Sequence, residues 1–112
     1  MGATFVQRGD SVDYTPTADV AAGDVVVQGE LVAVAKTAIK ANALGSLAVA
    51  GVFEFPKATG QGSAMAAGVK AYWDATNKQA TEDAAGGVNK YLGKTVAAAG
   101  DADATVRVRL DQ

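Results

Sequence analysis

Short apolar segments alternate with turn-forming residues along the whole chain, and this spacing constrains the fold more than any other feature. The turn signals, among them 13 glycines without a fixed period, recur about every 8 to 12 residues. Such spacing is typical of sandwiches and barrels built from short antiparallel strands. The sequence therefore predicts an all-β fold: a small antiparallel β-barrel or sandwich with at most one or two short helical turns.

Two hairpins are the clearest local elements. In the first, residues 24–28 pair with residues 31–35 around Gly29-Glu30, because glycine at the first loop position is what a type II′ turn requires. In the second, the turn-forming Asn77 separates residues 69–74 from residues 79–81. Both hairpins predict antiparallel pairing between neighbours in the chain.

The segment 46–55 predicts one long strand. Its two alternating faces are both largely apolar, with Leu47 and Phe53 on one and Val52 on the other. Apolar residues on both faces predict a central strand that is covered on either side. Pro56 is expected to end it, since proline has no N–H to donate to a ladder.

The remaining segments predict shorter or less regular elements. They are a strand at 4–7, a turn at 8–10, a strand at 11–14, a loop at 36–44, a helical turn within 60–68 capped by Ser63, a flexible loop at 82–87, and strands at 91–99 and 105–110. In the last strand Arg107 and Arg109 point outward, either as a solvated face or as a guard against aggregation at a sheet edge.

The composition limits the classes of function. A chain of 112 residues fits one domain, residues 1–112, and its alanine-rich core is predicted to be thin enough for a partner subunit to complete. The net charge of −2 and the lack of a basic block argue against nucleic acid. Cysteine and histidine are absent, which excludes thiolate metal sites. No apolar run reaches the roughly 20 residues that span a bilayer, and no signal segment is recognisable, so we expect a soluble protein.

Several short motifs have structural explanations that outweigh the functional ones. Gly93-Lys94-Thr95 resembles the end of a phosphate-binding loop, but Val88 stands where the first glycine is needed. Residues 8–10 form an Arg-Gly-Asp tripeptide that is also an ordinary turn. Asp101 and Asp103 lack the late glutamate of a calcium loop. Trp73, with Tyr72 and Tyr91, predicts core or subunit contacts more than ligand stacking.

Four parts of the chain carry a family resemblance through their order and spacing: residues 5–7, residues 51–57, residues 72–74 followed by 77–78, and residues 105–110. From about Thr4 to Leu110 the chain resembles the small capsid cement proteins, or head decoration proteins, of tailed phages and prophages. The resemblance implies a structural virion protein that binds the outer surface of the capsid as a homotrimer, contacts the major capsid protein and stabilises the expanded shell. It also implies location on the capsid exterior, after assembly in the host bacterial cytoplasm.

The candidate partner-binding residues lie in two places. One is the N-terminal segment, which is either an arm that pairs with a capsid strand or, as we slightly favour, the first strand of the protein's own sheet. The other is the aromatic pair in the 69–74 strand. These residues are Thr4, Phe5, Val6, Gln7, Arg8, Tyr72 and Trp73. We expect no catalytic residue, no cofactor, no metal, no membrane contact and no small-molecule substrate.

Two other classes of function remain as alternatives. A small β-barrel module that binds an oligonucleotide or saccharide would need a basic or aromatic groove. An enzyme would have to act through carboxylates, lysine or serine, and no carboxylate pair has a distinctive spacing.

Overall fold

Nine short strands form two antiparallel sheets in the computed structural model, which describes residues 2–5 and 9–111. The strands are β1 Ser11–Tyr14, β2 Val25–Gln28, β3 Leu31–Val34, β4 Gly45–Ala48, β5 Gly51–Pro56, β6 Lys70–Asp74, β7 Gln79–Thr81, β8 Lys90–Thr95 and β9 Thr105–Leu110. A single 3-10 turn at Ala85–Gly87 is the one helical element among the described residues. The all-β prediction is confirmed, with two sheets in place of a closed barrel.

The four-stranded sheet has the order β1-β4-β3-β2. Its β2–β3 hairpin confirms the predicted one: Gln28 pairs with Leu31, and Gly29 alone of the two loop residues has a positive φ, 63°, as a type II′ turn requires. By contrast, β3 and β4 are joined through one residue pair, Val34 with Ala48. The sheet therefore consists of two strand pairs that meet along a short seam.

The five-stranded sheet has the order β5-β9-β8-β6-β7 and longer ladders. Six consecutive residues of β5 pair with β9, and the second predicted hairpin is confirmed as β6 and β7. At one end of the sheet, Lys57 forms an isolated parallel bridge with Ala80 of β7. The residue that follows β5 therefore reaches β7, the strand at the opposite edge of the sheet.

The main core lies between the two sheets. Val32 and Val34 of β3 pack there against the five-stranded sheet, where the Phe55 and Trp73 rings lie 5.9 Å apart. The opposite face of β3 carries Ala33 and belongs to a second, smaller core. That core also contains Ala35, Ile39 and Leu47. Strand β3 is therefore covered on both faces, which is what its uninterrupted apolar sequence favours.

The prediction of one central strand over 46–55 is wrong. Gly51 has a φ of 121°, and the chain leaves the four-stranded sheet after β4 to enter the other sheet as β5. Strand β5 lies at a sheet edge, and its outward residues Val52 and Glu54 are exposed. The predicted end of the strand at Pro56 is confirmed: Pro56 is the last residue of β5 and pairs with Thr105, since an edge strand tolerates a missing N–H.

Three smaller predictions also differ from the structure. Residues 60–68 contain no helical turn: the Ser63 hydroxyl lies 2.5 Å from the Gly60 carbonyl oxygen and 3.1 Å from that of Asp101, so it holds loops together. Strand β8 ends at Thr95, and Ala99 instead forms an isolated bridge with Met65. The loop predicted at 82–87 contains the 3-10 turn.

Candidate docking surfaces

The N-terminal segment lies outside both sheets as far as it is described. Residues 2–5 are exposed and in no strand, and the side chain of Phe5 is 81% exposed. The preference for a first strand of the protein's own sheet is therefore wrong for Thr4 and Phe5, because neither sheet provides them with a neighbouring strand. Val6, Gln7 and Arg8 lie outside the described residues. Phe5 is left as an apolar side chain that a partner can cover.

Trp73 and Tyr72 lie on opposite faces of β6. Trp73 points into the main core, where it is 6% exposed, so its ring is not a platform for a base or sugar. Tyr72 is half-buried on the outer face and packs edge to face against Tyr91 of β8, with ring centroids 5.7 Å apart. The sequence could not distinguish these two orientations, since neighbouring aromatic residues leave either face possible.

A groove of about 520 Å³ separates the free edge of β2 from the β6–β7 hairpin. Its wall is largely apolar and includes Val25, Val27, Pro56 and Trp73. Gln28 and its partner flank a two-residue turn and form a hydrogen-bonded pair, so Val25 and Val27 direct their N–H and C=O groups away from β3. An apolar groove beside an unpaired strand edge can accept an extended peptide.

The outer face of the five-stranded sheet is basic, and sequence analysis missed it. Arg109 of β9 is opposite Lys94 of β8, which is opposite Lys70 of β6, and Arg107 of β9 is exposed on the same face as Arg109. The edge-guard interpretation of the two arginines is wrong, because β9 lies between β5 and β8. The sequence carries no local signal of this basic face. Lys70, Lys94 and the two arginines of β9 are far apart in the chain and come together only through the pairing of β6, β8 and β9.

The Gly93-Lys94-Thr95 motif forms the last three residues of β8 and is structural. A Cβ atom at Gly93 would lie 1.8 Å from the Arg109 carbonyl oxygen, so only glycine allows this approach of β9. A phosphate-binding loop would instead precede a helix N-terminus. Gly93 is therefore required for the close packing of β8 against β9.

The acidic candidates serve as turn contacts. The Asp101 carboxylate accepts the Ala64 N–H at 2.8 Å, and the Asp103 carboxylate accepts the Gly100 N–H at 2.8 Å. Gly9 and Asp10 form a turn before β1, whereas Arg8 of the same tripeptide lies outside the described residues. Among residues 2–5 and 9–111 there is no cluster of three potential metal ligands.

Lys57 is a buried cation that the sequence did not indicate. It is 6% exposed, and its ammonium group donates to the Ala58 carbonyl at 2.7 Å and lies 3.4 Å from Ser63 Oγ. Within the described part of the chain, no carboxylate lies within ion-pair distance. Burial of an unpaired lysine is costly, so its hydrogen bonds to the 58–63 loop are what hold the charge there.

The pKa of Asp74 is the clearest departure among the described acids and bases. The Asn77 side-chain amide, followed by its backbone N–H, lowers the pKa of this carboxyl in the exposed β6–β7 turn. The shift comes from the hydrogen bonds of a turn and not from a buried catalytic pair.

None of the helical structure in residues 2–5 and 9–111 has the length and apolarity needed to cross a membrane.

A family model described as phage cement protein matches residues 6–110 of the 112-residue chain. The match covers both sheets, the groove and the basic outer face of the five-stranded sheet. No curated protein and no solved structure matches the chain significantly.

Proposed function

The chain belongs to the phage cement protein family, and on that premise we propose that it binds the outside of a tailed-phage head as a homotrimer and stabilises the expanded shell. The family has a structural role at the phage capsid and is not a family of enzymes. The major capsid protein is the proposed partner, and the capsid exterior is the proposed location. The observation that carries the proposal is the family match, which extends over nearly the whole chain.

Two surfaces support this assignment. Phe5 and its neighbours in residues 2–5 form an exposed segment that can pair with a strand of the shell. The groove beside β2 offers a free strand edge next to an apolar wall that includes Trp73. Thr4, Val6, Gln7 and Arg8 belong to the proposed contact segment with Phe5, and Tyr72 to the outer sheet face.

Stabilisation follows from linkage. A protein that binds the expanded shell but not its precursor shifts the equilibrium toward the expanded state. The free energy of the expanded state falls by about 2.7 kcal/mol per site when the free concentration of the protein is about 100 times Kd. A trimer engages several capsid subunits at once, and the second and third contacts then benefit from high effective concentration. Weak single contacts are sufficient under these conditions.

The test combines light scattering with binding to expanded and unexpanded heads prepared without this protein. We expect a trimer mass, binding to expanded heads, and a higher melting temperature of those heads. A monomer at micromolar concentration that binds neither kind of head would contradict the proposal.

A matched pair of variants tests the N-terminal contact. Phe5→Ser is expected to weaken head binding by about tenfold, since an apolar anchor is lost. Leu44→Ser is the control, because Leu44 is similarly exposed at 72% but lies in the connection to β4. Equal binding of both variants would remove Phe5 from the interface and leave the family role intact.

A further inference from the structure

Three cations lie side by side across the outer face of the five-stranded sheet. Lys70 of β6 is directly opposite Lys94 of β8, which is directly opposite Arg109 of β9. All three side chains are exposed. Like charges at directly opposed positions are destabilising, so this row lowers the stability of the isolated protein. A partner that neutralises the row would remove that repulsion.

Arg107 is the fourth cation on this outer face, and two carboxylates lie near the arginines. Arg107 is opposite Glu54 of β5, at 3.4 Å, and Arg109 lies 3.8 Å from Asp111. Within the described residues, Lys70 and Lys94 have no ion-pair partner. We call Lys70, Lys94, Arg107 and Arg109 the basic face.

The charge of the basic face is opposite to that of the rest of the chain. With Glu54 and Asp111 included, the face carries +2, whereas the whole chain carries −2. The remainder therefore carries −4. The charge distribution is strongly asymmetric, which orients the protein relative to a charged partner surface.

The same face also presents apolar and aromatic side chains. The Tyr72–Tyr91 pair lies next to Lys70, and exposed Val52, which is opposite Arg109, lies at the other end of the row. Tyrosine and arginine are among the residues that most often anchor protein interfaces, and apolar contacts exclude water around them. The mixture is typical of a protein-binding surface.

We propose that the basic face docks on a carboxylate-rich protein surface of the phage shell, an inference that rests on the function proposed above. Nucleic acid fits the face less well. Two of its four cations already have carboxylate partners, the two tyrosine rings pack against each other, and the rest of the chain is acidic. An acidic protein patch needs only the few unpaired cations that Lys70 and Lys94 supply.

The test uses the full chain and two double variants. The face variant is Lys70→Glu with Lys94→Glu, and the matched control is Lys36→Glu with Lys40→Glu. Lys36 and Lys40 are exposed in the connection between β3 and β4, so the control changes net charge equally at another place. Circular dichroism and thermal unfolding check that each variant folds. The neutral pair Lys70→Gln with Lys94→Gln replaces the face variant if charge reversal unfolds it.

Binding to expanded heads is measured at about 0.1 M and about 1 M ionic strength, where the Debye length is about 10 Å and about 3 Å. We expect the face variant to bind about tenfold more weakly than wild type at low salt and less than about threefold at high salt. The control is expected to stay within about twofold of wild type. If the face variant and the control bind equally, the inference is wrong while the proposed function stands.

A second measurement decides the inference even if wild type binds no heads, a result that would contradict the proposed function itself. The probes are poly-L-glutamate and a short DNA duplex. At low salt we expect wild type and the control to bind polyglutamate and the face variant to lose that binding. Equal polyglutamate binding by all three, or no binding by wild type, would overturn the inference. Tighter binding of wild type to the duplex than to polyglutamate would make the face a nucleic-acid surface and would also overturn it.

Discussion

The two sheets differ in how their cores are filled. The five-stranded sheet contributes Phe55, Trp73 and Leu92, all buried, and is held by ladders of up to six residue pairs. The second core, on the far side of the four-stranded sheet, contains two alanines with Ile39 and Leu47. Because burial stabilises in proportion to apolar area, the larger side chains of the five-stranded sheet supply more of the folding free energy.

The four-stranded sheet depends on the other one. Val32 and Val34 of its β3 strand pack into the core of the five-stranded sheet and not into the second core. The Lys90–Glu30 ion pair also links the two at 3.0 Å, but Glu30 is exposed and contributes little. We therefore expect the five-stranded sheet to set the global stability and the four-stranded sheet to open first.

Gly93→Ala is expected to have the largest effect, because it forces β8 and β9 apart in the dominant sheet. The added methyl group would meet the Arg109 carbonyl, so we expect a loss of about 4 kcal/mol or more, close to the whole stability of a small domain. Urea unfolding measures it. Gly62→Ala is the control: Gly62 has a φ of 85° with open space around it, so backbone strain alone predicts about 1 kcal/mol. Similar losses for both variants would show that the close approach is unimportant.

Phe55→Ala and Leu47→Ala test the asymmetry between the sheets directly. We expect Phe55→Ala to cost about 4 kcal/mol and Leu47→Ala about 2 to 3 kcal/mol, because each leaves a cavity in its own core. Hydrogen exchange should then show lost protection throughout for Phe55→Ala, but mainly in β1 and β4 for Leu47→Ala. Uniform loss in both variants would mean that the two sheets unfold as one unit.

The smallest expected effect concerns Asp74 in the β6–β7 turn. The Asn77 amide stabilises the carboxylate form, so the pKa of Asp74 lies below its ordinary value of 3.8. A lowered pKa means that the stabilisation is present above the unfolded-state pKa and is lost as pH falls through the folded one. We expect Asn77→Ala to raise the pKa of Asp74 toward 3.8 and to destabilise the protein slightly at pH 7.

NMR titration of the Asp74 carboxyl measures this shift. Thr76→Ala is the control, because Thr76 donates to Asp74 through its backbone N–H, which the substitution retains. An unchanged pKa in Asn77→Ala would contradict the assignment of the amide as the main cause.

The hairpins were predictable because their signals are local. Gly29 fixes the type II′ turn, and the register of β2 and β3 follows from the loop length. The 46–55 segment failed for the opposite reason: its alternation continues across a change of sheet. A glycine within a strand pattern often marks a bend, and Gly51 was the available signal.

The docking surfaces were mostly beyond the reach of the sequence. The basic face requires knowing that β8 and β9 are neighbours and that Lys94 is opposite Arg109, which are long-range pairings. The groove beside β2 depends on how the two sheets are placed against each other. Residue type alone predicts Tyr72 and Trp73 as contact residues, and only the fold assigns them to different faces.

The seam between β3 and β4 has a mechanical consequence. One residue pair, Val34 with Ala48, joins the two halves of that sheet, so a change of angle between them disturbs few ladder hydrogen bonds. We therefore expect this joint to bend more easily than the five-stranded sheet, whose β5–β9 ladder is six residue pairs long. Such a joint would let the domain adjust to small differences in the shape of a partner surface while its larger sheet keeps its form.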